Sequence, residues 1–69
     1  MTKKLLIRLH LDRIRANLAK EDGREWSDDD VRRWLVEAGF TPSDGGWLVD
    51  EPNLGQLDPS EVAAVEDAP

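Results

Sequence analysis

The sequence predicts an α+β chain in which two antiparallel helices precede a short β-hairpin and a short C-terminal helix or third strand. Three observations carry this. Residues 3–21 contain no glycine or proline and repeat apolar side chains at helical spacing. Residues 27–39 carry a helix start signal, an apolar stripe and a stop signal in that order. Residues 42–46, "PSDGG", set turn formers between two apolar runs. The expected layout is a helix over 3–21, a helix over 28–38, a hairpin over 40–50, a C-terminal element over 59–66 and a frayed tail over 67–69, all in one small domain spanning 1–69.

In the first segment, Ile7, Leu11, Ile14 and Leu18 fall at i, i+4, i+7 and i+11, on one helical face. A strand pattern competes at its start, where Leu5, Ile7, Leu9 and Leu11 alternate with Leu6, Arg8, His10 and Asp12. The helical period runs on to Leu18 while the alternation stops at Leu11, which favours the helix. A helix here leaves Leu5 and Leu9 off the main stripe as a second apolar strip, with Arg8 and Arg13 nearby.

The second helix has every local signal in agreement. Ser27 is the N-cap, and Asp30 three residues on completes a capping box. Trp26 before the cap and Val31 after it form a hydrophobic staple. Asp28, Asp29 and Asp30 put negative charge on the exposed N–H groups of the first turn. Val31, Trp34, Leu35 and Ala38 form the inward stripe; Gly39 supplies a left-handed stop, and Phe40 folds back on the last turn. Arg32 and Arg33 follow Asp28 and Asp29 by four residues, the acid-first order that favours pairing within a helix. Paired arginines behind three aspartates make poor readers of phosphate, so this helix is expected to be scaffold.

Beyond Phe40 the hairpin is expected to have a loop of about five residues around Pro42, Asp44, Gly45 and Gly46, with Trp47-Leu48-Val49 as its second arm. "LDPSEVAAVE" repeats the capping grammar, with Leu57 as staple, Asp58 as cap, Pro59 at the first helical position and Glu61 closing the box. That favours a helix over 59–66. A strand at residues 62–65 beside Trp47 to Val49 is the alternative.

Composition narrows the function classes. A 69-residue chain buries only about 60% of its extended surface, and with no cysteine it has neither disulfides nor zinc thiolates to help. Residues 1–20 read as neither a signal peptide nor a membrane span, and a cytoplasmic protein is expected. The net charge of -6 is uneven: through Arg24 there are seven Lys/Arg and three Asp/Glu, and from Glu25 onward two arginines against twelve acids.

Catalytic chemistry finds little support. His10 is the only histidine, and no serine lies in a nucleophile-elbow pattern. Asp28, Asp29 and Asp30 diverge by about 100° per residue on a helix and cannot share one ion. No catalytic, cofactor-binding or metal-binding residue is expected, and no cofactor. The expected core is Ile7, Leu11, Ile14, Leu18, Trp26, Val31, Trp34, Leu35 and Phe40. The candidate interface is Leu5, Leu9, Arg8, Arg13 and Trp47, the last because one of Trp47 and Leu48 must face outward in a hairpin.

Two function classes remain. The first is a small acidic protein-interaction module that is not an enzyme, binding a protein partner or a second copy of itself through the apolar strip and the acidic surface. The second is a nucleic-acid-binding regulator with a winged-helix-like outline, since two helices followed by a glycine-rich hairpin fit that outline. Its basic residues form no single stripe, and a pI of about 4.5 opposes phosphate binding, so nucleic acid is disfavoured.

Overall fold

The N-terminal apolar run is a strand, and the rest of the architecture is arranged around it. A computed structural model of the protein describes residues 3–68. Along the chain lie β1 (Lys4–Leu9), α1 (Leu11–Asp22), α2 (Asp28–Glu37), β2 (Thr41–Ser43) and β3 (Gly46–Asp50). Two 3-10 segments follow, Glu51–Gln56 and Pro59–Glu61, and then β4 (Val62–Asp67). The protein is α+β, with a four-stranded sheet ordered β2-β3-β1-β4 in which every neighbouring pair is antiparallel.

The helix expected over residues 3–21 is therefore half right. From Leu11 it is α1, with Ile14 buried and Leu11 and Leu18 packed against the core. Before His10 the alternation wins. Leu5 and Ile7 are buried, Leu9 packs against the same cluster, and Lys4, Leu6 and Arg8 take the opposite face. The physical reason is non-local. As a helix this segment would leave Leu5 and Leu9 in water; as the second-from-edge strand it buries them and pairs its backbone with β3 and β4 at once. His10 marks the change of direction, its N–H donating to the Glu61 carbonyl at 2.8 Å.

Helix α2 follows its local signals. The Ser27 hydroxyl accepts from the Asp30 N–H and the Asp30 carboxylate accepts from the Ser27 N–H, each at 3.1 Å. Gly39 has φ of 100°, and the Phe40 N–H donates back to the Leu35 carbonyl at 2.9 Å. A Cβ at Gly39 would lie 2.8 Å from Asn53 Nδ2, a side-chain end that can shift, so it is the backbone angle that calls for glycine there. The expected arginine pairs within α2 are absent from the ion pairs of the described residues. The Asp28 carboxylate instead bonds Arg15 of α1 at 3.1 Å, a contact between helices that local spacing does not reveal.

The hairpin is tighter than expected. Pro42 and Ser43 belong to β2, leaving a two-residue turn at Asp44 and Gly45. Both have positive φ, 43° and 77°, as a type I′ turn requires.

The C-terminal helix is not formed. The capping box at Asp58 and Glu61 is present, but it closes only a 3-10 turn before β4 begins. Nor does β4 lie beside Trp47 to Val49; both sides of β3 are taken by β2 and β1, so β4 pairs with β1. The frayed tail is shorter than expected, since Asp67 is in β4 and the Ala68 N–H donates to the Lys4 carbonyl at 3.2 Å. Pro69, like Met1 and Thr2, lies outside the described residues.

Both helices and the 3-10 segments cover one face of the sheet. Leu5, Ile7, Trp47 and Val49 meet Ile14, Val31, Leu35, Phe40 and Leu57 in one buried cluster. Trp26 and Trp34 are partly buried against it.

Candidate functional site

The margin of β4 combines features found nowhere else on the described chain. Its geometry starts at "DPSE". Asp58 caps the turn by accepting from the Ser60 N–H at 2.9 Å, and Glu61 reaches back to accept from the Asp58 N–H at 2.7 Å. The other oxygen of Glu61 accepts from Asn17 Nδ2 of α1 at 2.9 Å. Glu61 is only 6% exposed, and these partners satisfy it. This knot holds the start of β4 against α1 and β1.

From there the register decides which groups look outward. Ile7 is opposite Val65, so both point to the helix side, and Leu9 opposite Val62 does the same. Ile7 is sealed by the helices, whereas Val65 remains 48% exposed. Beside it lies an apolar groove of about 480 Å³ lined by Leu54, Leu57, Pro59, Val62 and Val65, with Gly55 and Glu51 at its rim. The Ala68 N–H bonds to Lys4, and hydrogen-bonded pairs alternate along an antiparallel ladder. Glu66 and Ala64 therefore also turn their backbone groups to β1, and Val65 and Asp67 turn theirs to the free edge.

The charge around this margin is negative. Glu51, Asp58 and Glu66 enter no ion pair among the described residues, and Asp67 is bridged by Lys3 at 2.8 Å. That contact holds the Lys3 amine above its usual range. The Asp58 carboxyl is held below its usual range by the Ser60 backbone hydrogen bond, and Asp30 likewise by that of Ser27.

The interface residues expected from the sequence are not brought together. Leu5 is 6% exposed and Trp47 8%, both within the core, and Leu9 packs against it; the apolar strip on a first helix does not exist. Arg8 and Arg13 are exposed, one on the outer face of β1 and one on α1. The groove residues are not among the candidates the sequence offers, because the capping box favours a helix over 59–66 and ranks the strand at residues 62–65 second. Their signal was the pair of β-branched residues, Val62 and Val65, in a run with no long helix-forming side chain until Glu66.

Other hollows are less coherent. A cleft of about 430 Å³ at the hairpin tip sets Arg32 beside Asp44, which opposes an anion there. On the outer sheet face, Leu6 and Leu48 stand next to the Lys4–Asp50 pair at 3.8 Å. The Arg24 guanidinium lies 4.1 Å from the centre of the Trp26 ring, whose Nε1 is buried without a partner. Among the described residues no three His, Asp or Glu side chains group to hold a metal ion, and no helix is long and apolar enough to cross a membrane. No protein-family model matches this chain, and comparisons with curated proteins and with solved structures find no match.

Proposed function

We propose that this chain is a small, non-catalytic protein-interaction module that takes its partner along the β4 margin. The observation that carries this reading is an edge strand of six residues with an apolar groove beside it. Natural sheets blunt such edges with proline, bulges, charge or covering loops, because open backbone groups template further pairing. Here the central outward position is a half-exposed valine over an apolar floor, the kind of patch that marks an interaction site.

The test is a photo-reactive amino acid placed at Val65, at Ser43 on the opposite edge and at Val36, which is 55% exposed on α2. Irradiated in the native cell, the Val65 variant is expected to give a discrete protein adduct that the other two do not. Equal adducts from all three, or none from Val65, would contradict the reading.

Nucleic-acid binding with a winged-helix-like outline ranks second. In its favour, Arg8, Arg13, Arg32 and Arg33 are exposed and enter no ion pair among the described residues. They are spread over β1, α1 and α2, and the net charge is -6. At about 150 mM salt, duplex DNA binding is expected to be no tighter than micromolar. A mobility shift at nanomolar protein would reverse the ranking.

A further inference from the structure

We propose that the occupant of the β4 margin is an extended, lysine- or arginine-bearing segment of another protein, added to the sheet as a fifth strand. This rests on the interaction reading above. Three observations converge on it. The backbone groups of Val65 and Asp67 face the free edge, so an incoming strand finds donors and acceptors at alternate positions. Val65 sends its side chain to the same side as the groove, so every second side chain of an added strand falls over Leu54, Leu57 and Val62. Those positions call for apolar residues.

Charge decides the rest. Glu51 lines the groove and Glu66 lies near the end of β4, both without an ion-pair partner among the described residues. A segment with cations at the intervening and flanking positions complements both. The same charges argue against a second copy of this chain. Pairing β4 with its own copy would bring two sets of Glu51 and Glu66 to one seam; Lys3 is already bridged to Asp67, and β4 itself carries no cation to offset them. It would also put valine against valine over two half-filled grooves, leaving the acidic rim uncompensated.

The experiment titrates a short capped peptide alternating lysine and valine into the isotope-labelled protein, followed by amide chemical shifts. Saturable shifts centred on residues 62–67 and on Leu54 and Leu57 are expected, weakened at least tenfold when glutamate replaces lysine. A peptide with proline at its central position should also bind at least tenfold more weakly. Val65→Pro removes an outward N–H that the ladder does not use, so it should fold as wild type yet bind at least tenfold more weakly. Equal binding of the glutamate peptide, equal binding of the proline peptide, shifts centred on Leu6 and Leu48, self-association at β4 or no binding would each overturn the proposal. The photo-crosslink from Val65 answers the wider reading separately: an adduct there with no peptide binding removes strand addition and keeps the interaction site.

Discussion

The two edges of the sheet are built differently. At one edge β2 is three residues long, and its middle residue is Pro42. The Ser43–Gly46 pair closes a two-residue turn, so Pro42 opposite Trp47 is the position whose nitrogen faces away from the ladder. Proline there costs no hydrogen bond and leaves no donor on the rim. At the other edge β4 has six residues, none of them proline, with a register shift where Arg8 and Leu9 face Ala64 and Val62; in its regular part, residues 64–67, the corresponding outward position is Val65. One margin is closed by covalent structure, while the other keeps its backbone groups and an apolar floor. A chain that can close an edge so economically and leaves the other open points to use of the open one.

The comparison can be broken at its root. Ile7 is fully buried on β1, the strand from which both margins are ultimately hung. Ile7→Ala should cost about 2–5 kcal/mol, which in a chain of this size is much of the total stability. Chemical denaturation should show its midpoint collapse, and a stable variant would mean the sheet does not depend on β1.

A finer cut separates neighbours on β4. Glu66 turns its N–H to Leu6, so Glu66→Pro should lose a ladder bond and cost about 1–3 kcal/mol. Val65→Pro imitates Pro42 and should stay within about 1 kcal/mol of wild type. If the two melt alike, the register assigned to the free edge is wrong.

The smallest effects come from pH. Asp58, which caps the 3-10 turn leading into β4, and Asp30 in α2 have folded pKa values lowered by backbone hydrogen bonds from Ser60 and Ser27. Their stabilisation is present above the unfolded value and is lost as pH falls through the folded one, below about pH 4. Lys3 behaves oppositely. Its pKa is raised by Asp67, so the tie at the end of β4 holds below the unfolded value and is released as pH rises above about 10.4. Amide exchange should show β4 loosening from its start in acid and from its end in base. Loosening at both ends in acid alone would contradict this assignment.

How legible each region was in the sequence follows from the range of its interactions. Ser27, Asp30, Gly39 and Phe40 act within a few residues of one another, and the bonds they predict are those found. β1 and β4 are specified by each other across the chain. Ile7 fits a helical stripe equally well until its partners Trp47 and Val65 are known. The capping box at Asp58 and Glu61 is genuine, but a cap starts a turn without deciding how far it runs; Val62 and Val65 gain more from the ladder than from another helical turn. The site was hidden for the same reason, since its groove joins Leu54 and Leu57 to residues expected on a helix. The switch from an arginine pair within α2 to Arg15–Asp28 is likewise a tertiary choice.

Hydrogen exchange at single amides tests the open-edge claim most directly. In the free protein, Val65 N–H should exchange quickly while Glu66 N–H, in the ladder to β1, is protected. With the lysine–valine peptide at saturation, Val65 should slow at least tenfold and Thr41 on the closed edge should not change. A Val65 amide already protected in the free protein, or one that stays fast in the complex, would contradict the account.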